Sequence, residues 1–157
     1  MQRITTFLWY DQEAEQAAKF YCSIFNNSKI LKTTRYGDAG PGPKGSVMTV
    51  QFELDGVEFI ALNAGPTFKF TEAISLSIAC KDQEEVDYYW QKLLAGGGQE
   101  SMCGWLKDKY GLSWQVTPTI LVEMTADPDP KKAKRAMQAM MQMRKIDIKK
   151  LKEAVNG

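Results

Sequence analysis

The sequence predicts an α+β fold: two copies of one strand-helix-strands unit forming a cup-shaped mixed sheet, followed by a C-terminal helical tail. Three observations predict it. The first is an internal repeat, in which Ala17 to Phe25 returns as Val86 to Leu94 at a spacing of 69. Phe20 falls on Tyr89, Tyr21 on Trp90, Ile24 on Leu93 and Phe25 on Leu94, so an aromatic pair and an apolar pair occupy the same helical face twice. The second is the Asp-Gln-Glu signal that follows a β-rich run in each copy, Ile4 to Tyr10 and Ala73 to Cys80. The third is Asp55-Gly56, a two-residue hairpin signal between two strand-like runs.

The elements follow in order. The first helix takes Asp11 as N-cap and carries an apolar stripe of Ala14, Ala17, Ala18, Tyr21, Ile24 and Phe25, ending at Asn26-Asn27. Ser46 to Leu54 and Val57 to Asn63 form the hairpin. Alternation puts Met48, Val50, Phe52, Leu54, Val57, Phe59 and Ala61 on a face suited to helix packing, and Thr49, Gln51, Ile60 and Leu62 on the face that lines a cup. In the second copy Asp82 and Glu85 make a capping-box pattern, Val86, Tyr89, Trp90, Leu93 and Leu94 form the buried stripe, and Gly96-Gly97-Gly98 stops the helix. A hairpin then runs from Cys103 to Lys107, turns at Asp108 to Gly111 and returns as Leu112 to Thr117. Helical spacing alone accounts for the aromatic residues of both stripes as core.

Past Pro118 the pattern changes. Asp127-Pro128-Asp129-Pro130 is a stiff connector that supplies a cap and a first-turn proline to a helix with Ala133, Ala136, Met137, Met140 and Met141 on one side. Asp147 caps a last short helix, with Ile146 and Leu151 as a hydrophobic staple and Val155 continuing the stripe. The methionines read either as adaptable core packing or as a flexible subunit contact. These boundaries give one domain over 1–126, with modules of about 1–66 and 72–122, and a helical extension over 127–157.

Composition narrows the function. The 157 residues, 44% hydrophobic and 25% charged, suit one globular domain with its own core. A net charge of +1 supplies no long-range attraction to nucleic acid or an anionic membrane. No apolar run approaches a membrane span and no basic-then-apolar leader opens the chain, so a cytoplasmic protein is expected. Cys22, Cys80 and Cys103 are odd in number and widely spaced, which fits neither a disulfide framework nor a Cys-x-x-Cys motif. There is no histidine, so the commonest neutral-pH base and transition-metal ligand is missing and any catalysis falls to carboxylate, Lys, Tyr or Cys.

Gly40-Pro41-Gly42-Pro43-Lys44-Gly45 has the spacing of a dinucleotide fingerprint, but that motif must end a strand and open a helix. Two internal prolines and a following hairpin make it instead a mobile loop with the reach to close over the cup.

The paired modules resemble the βαβββ units of the vicinal oxygen chelate superfamily, which includes glyoxalase I, extradiol dioxygenases and bleomycin-resistance proteins. More closely, the chain resembles the PhnB-like branch described as 3-demethylubiquinone-9 3-methyltransferase. The resemblance is carried by Phe7-Leu8-Trp9-Tyr10-Asp11, Arg35-Tyr36-Gly37, Gly45 to Thr49, Ala61-Leu62-Asn63, Cys103 to Gln115 and Lys145 to Ile148.

The superfamily pattern puts one ligand on the first strand and one on the last strand of each module. Those positions fall near Ile4 and Ile60 in the first module, and near Ser75 and at Gln115 in the second. Such side chains do not hold a divalent metal, so no metal and no other cofactor is expected. The resemblance therefore implies a small-molecule-binding protein whose cup is lined by Trp9, Asn63, Phe70, Ser75, Ser77, Trp105, Trp114 and Gln115. Parity favours Ser75, Ser77 and Gln115 as inward-facing and leaves the direction of Trp9, Trp105 and Trp114 open. A homodimer is the implied assembly. The family description keeps a methyltransferase acting on a quinone-like phenol as the alternative, and a module whose cup is filled by its own side chains as a third.

Overall fold

The computed structural model describes residues 2–157, divided between Phe70 and Thr71 into two units. The first contains β1 (Thr6–Tyr10), α1 (Ala14–Ile24), β2 (Lys29–Arg35), β3 (Val47–Leu54) and β4 (Val57–Asn63). Its strands form a mixed sheet in the order β1-β4-β3-β2, with β1 parallel to β4 and the β3–β4 hairpin antiparallel. Asp55 and Gly56 both take positive φ, 47° and 81°, as a type I′ turn requires, and the register closes with Leu54 opposite Val57. The predicted alternation holds: Val50, Phe52, Leu54, Phe59 and Ala61 are buried on the side where α1 packs against β3 and β4. The helix answers with Ala14, Ala17, Ala18, Tyr21 and Ile24, all buried.

Two local expectations change. Ile4 lies before β1 and is 89% exposed, because strand pairing with β4 begins at Thr6. Asp11 does not cap α1; Glu13 holds the N-cap position without a side-chain bond, and the Ala14 N–H donates to Asn63 Oδ1 at 2.8 Å. A residue on β4 thus satisfies the helix end from a distance, which local sequence rules do not see.

The second unit repeats the plan with β5 (Ser75–Cys80), α2 (Gln83–Leu94), β6 (Gln99–Glu100), β7 (Trp105–Lys107) and β8 (Ser113–Pro118), in the order β5-β8-β7-β6. Asp82 caps α2 through the Glu85 N–H at 2.9 Å, and Glu85 Oε2 accepts from the Lys81 N–H at 3.0 Å. The repeat is physical: Tyr21 and Trp90, and Ile24 and Leu93, are buried at matching helical positions.

Three helices complete this unit: α3 (Thr119–Thr125), absent from the sequence reading, α4 (Pro130–Met140) and α5 (Ile148–Asn156). Asp129 and Asp147 cap α4 and α5 as expected, accepting from Lys131 N at 2.9 Å and Lys150 N at 3.0 Å. Leu121, Ile146 and Leu151 form a buried cluster, with Met124, Ala139, Met140 and Met143 packed on it. The methionine stripe therefore divides, since Met140 packs inward while Met137 and Met141 are exposed.

The tail is tied to the sheet of its own unit. Cys103 N–H donates to Met143 O at 2.7 Å and Gly104 N–H to Arg144 O at 2.8 Å. Gly104 has φ of 83°, and a Cβ there would lie 3.0 Å from Val116 O and 3.1 Å from Ile146 Cγ1, so the tail passes where only glycine fits. Gln83 makes a second tie: its Nε2 donates to Ile146 O at 2.9 Å and its Oε1 accepts from Ile148 N at 2.8 Å.

Asp87 extends that tie, pairing with Lys145 at 2.8 Å and accepting from Gln83 at 3.0 Å. The hydrogen bond from Lys145, then that from Gln83, holds its carboxyl below the ordinary value of 3.8. A depressed folded-state value stabilises above the unfolded one and is lost as pH falls through it. The melting-temperature difference between the native chain and Asp87→Asn is therefore expected to be full above the ordinary carboxylate range and to shrink steadily as pH falls through and below it. A difference constant over that range sinks the assignment.

Candidate functional site

In each sheet one face is covered by its own helix and the other is turned away from it. The register of the second sheet sets out the far face in rows. Ser77 on β5 lies opposite Gln115 on β8, which lies opposite Trp105 on β7. The neighbouring row reads Ser75, Ser113, Lys107 and Gln99. Gln115 Nε2 donates to Ser75 Oγ at 2.9 Å, which joins the rows and fixes the direction of the amide. A surface of hydroxyls, two amides, one ammonium and the side of an indole results. It suits hydrogen bonding to a polar, ring-bearing molecule.

Trp114 is on the opposite face. It is 2% exposed, α2 packs against its strand, and its indole N–H donates to Asp108 Oδ2 at 2.9 Å. Asp108 is itself buried, and its Oδ1 accepts from Tyr110 N at 2.9 Å and Leu112 N at 3.1 Å. The sequence reading took Asp108 for an ordinary turn residue; the signal for more was its spacing of six from a tryptophan on the helix side of β8.

In the first unit Trp9 shares the far face with Phe7, Ile60 and Leu62. Its indole N–H donates to Gly65 O at 2.9 Å, and the Phe68 ring meets it edge-on at 4.9 Å. Asn63 lies on the helix side, opposite Tyr10, with both ends of its amide committed: Oδ1 to Ala14 and Nδ2 to Val47 O at 3.1 Å. Its carbonyl accepts from the Tyr36 hydroxyl. Phe70 packs edge-on against Tyr10 at 5.3 Å. Of the sequence-predicted residues, Ser75, Ser77, Gln115 and Trp105 thus share one face, Trp9 lies on the far face of the other sheet, Trp114 and Asn63 lie on the helix sides of their sheets, with Asn63 also lining the cleft beside the start of α1, and Phe70 lies against Tyr10.

The glycine-proline loop lies against Tyr36. Tyr36 is buried, Gly42 lies against its ring, and residues 41–43 join Asp11, Gln12, Glu15 and Gln16 around a cleft of about 350 Å³ beside the start of α1. The loop is held there by Gly45 N to Tyr36 O at 2.8 Å and Tyr36 N to Ser46 O at 2.9 Å. A larger cleft of about 860 Å³ lies between the start of α2 and α5, where cations and anions alternate along the docked tail.

Register sets which residues face one another at the inferred ligand positions. The partner of Gln115 on the first strand of its module is Ser77, two residues past the expected Ser75, and the partner of Ile60 is Phe7, not Ile4. Serine, glutamine, phenylalanine and isoleucine do not make a divalent-cation site. Among the described residues no three His, Cys, Asp or Glu side chains come together to hold an ion.

The profile of a family described as 3-demethylubiquinone-9 3-methyltransferase matches residues 2–117. The chain belongs to this family. Among solved structures, the PhnB protein of Bacillus cereus, whose name carries the same methyltransferase designation, is 41% identical, with a TM-score of 0.68, over 75% of this chain and all of that one. A Pseudomonas aeruginosa protein, 19% identical with a TM-score of 0.61 over 75% of this chain and 98% of its own, shares the fold. So does the fosfomycin resistance protein FosX of Listeria monocytogenes, 15% identical with a TM-score of 0.53 over 78% of this chain and 97% of its own. The family profile and the PhnB likeness set this chain within the vicinal oxygen chelate superfamily. No curated protein matches the chain. FosX has also been seen with Mn(II) and sulfate.

Proposed function

We propose that this PhnB-like protein binds a small polar molecule on the far face of the second sheet, without a catalytic metal. Ser75, Ser77, Gln115 and Trp105 make the contacts. The hydrogen bond between Gln115 and Ser75 is the observation that carries the reading, because it holds a donor and acceptor pair on a half-buried face beside an indole. Trp9 lines the corresponding face of the first sheet. Cytoplasmic placement and a homodimer belong to the same reading, supported by three free cysteines and by exposed Met137 and Met141. No helix among the described residues is long and apolar enough to cross a membrane.

A thermal-shift screen identifies ligands, since binding to the native state raises apparent stability by mass action. Gln115→Glu then separates site from core. A carboxylate in place of the amide sits among hydroxyls and an indole and is costly to desolvate, so a neutral ligand is expected to bind less well. Trp90→Ala removes a core indole whose N–H donates to Glu100 at 3.1 Å, and is expected to cost about 3–5 kcal/mol of stability. Ligand affinity untouched by Gln115→Glu moves the site elsewhere. One retained equivalent of transition metal per chain after desalting ends the metal-free reading.

The family description favours a second reading, methyl transfer to a quinone-like phenol. Its cofactor would need a glycine-rich strand-to-helix turn, whereas residues 40–45 connect β2 to β3 and lie against Tyr36. Saturable binding of S-adenosylmethionine in calorimetry supports this reading; none at millimolar concentration removes it.

A further inference from the structure

On the far face, the row Gln99, Lys107, Ser113 and Ser75 ends in a cleft of about 190 Å³. Glu72, Gln99, Glu100, Trp105, Lys107 and Ser113 are among the residues that line it. Ser113 is 1% exposed, and its hydroxyl is buried without a hydrogen-bond partner. A buried hydroxyl left unmatched is costly, and one that lines a cleft beside an ammonium is placed to meet an anion.

Lys107 already holds a carboxylate. It forms an ion pair with Glu72, whose side chain is 59% exposed and precedes β5. The hydrogen bond from Lys107 keeps the Glu72 carboxyl below its ordinary range, so the ammonium favours the ionised form of whatever acid it meets. An ion pair this open to water contributes little, and another carboxylate exchanges with it at small cost. The neighbouring acid, Glu100, is occupied elsewhere, accepting from Trp90 at 3.1 Å and pairing with Arg144 at 3.6 Å.

We infer that this cleft binds the carboxylate of a small organic acid, which replaces Glu72 on Lys107 and accepts a hydrogen bond from the Ser113 hydroxyl while the acid's ring or chain lies along Trp105. The inference rests on the far face being a ligand surface and names the class of ligand it takes. The volume lies below the roughly 300 Å³ at which pockets for drug-sized ligands begin, so a compact acid fits better than a nucleotide or an acylated carrier.

The test uses the full chain, benzoate as probe and benzamide as its neutral counterpart, with tryptophan fluorescence and calorimetry as readouts. Benzoate is expected to bind at least about tenfold more tightly than benzamide, and Lys107→Met to erase that preference. Ser113→Ala is expected to weaken benzoate about tenfold without lowering the melting temperature, since it removes an unmatched buried hydroxyl. Glu72→Ala, which removes the competing carboxylate, is expected to tighten benzoate. Equal binding of the two probes, with both weakened by Gln115→Glu, overturns the carboxylate site and leaves the far-face reading standing. Failure of benzoate to bind even the Glu72→Ala chain also overturns the site. Ligands from the thermal-shift screen that ignore Gln115→Glu defeat the wider reading instead.

Discussion

Asp108→Ala is expected to destabilise the second unit by on the order of 3 to 5 kcal/mol, because hydrogen bonds to a charged acceptor are each worth about 1.5–3 kcal/mol. Asp108 is 3% exposed, and its carboxylate receives the backbone N–H groups of Tyr110 and Leu112 and the indole N–H of Trp114. Alanine takes this acceptor away from all three donors at once. Asparagine keeps one carbonyl oxygen but turns an NH2 group towards one of those donors, so Asp108→Asn is expected to fall between alanine and the native chain. Urea unfolding followed by fluorescence measures both, since the Trp114 environment changes with the bond. A loss below about 1 kcal/mol for Asp108→Ala contradicts the structural role assigned to it.

Truncation after Thr125 is expected to be more damaging still. It removes Ile146 and Leu151, both fully buried, and uncovers Leu121. At about 1.5–3 kcal/mol per buried aliphatic side chain, the two removed residues alone approach the lower end of a domain's total stability of about 5–15 kcal/mol. The backbone N–H groups of Cys103 and Gly104 and the amide of Gln83 lose their acceptors at the same time. Hydrogen exchange on the truncated chain is expected to show lost protection in α2, β7 and β8, with the β3–β4 hairpin of the first unit largely retained. Light scattering on the same samples reads the proposed homodimer. Unaltered thermal unfolding after truncation refutes the tail's part in the core.

The repeat carried most of the fold. Matching aromatic and apolar positions at a spacing of 69 identified both helices; the pairs Tyr21/Trp90 and Ile24/Leu93 are buried in each, while Phe20/Tyr89 and Phe25/Leu94 are half-buried. Asp55-Gly56 placed the first hairpin to the residue, and Asp82, Asp129 and Asp147 were legible as caps because each acts on its own helix within three positions. The start of α1 was misread for the opposite reason: its partner, Asn63, is 49 positions away. α3 was missed because its seven residues follow a strand directly and bury only Leu121.

The candidate site divides along the same line. Ser75, Ser77 and Gln115 were legible from parity, which depends only on the two-residue alternation of a strand once its limits are known. Trp114, one position from Gln115, faces the helix by that same alternation, and Asn63 falls on the helix side of β4. The sequence by itself determined the two modules, the strand parity, the caps of α2, α4 and α5 and the want of imidazole for a metal site, since these follow from residue type and near-neighbour spacing. Tertiary structure alone decided that Ser113 is buried without a partner beside the Lys107–Glu72 pair, that Asp108 gathers three donors, and that Gln83 and Gly104 hold the tail. Each depends on which strands become neighbours and in what register, and on how segments tens of residues apart approach one another, which no local spacing encodes.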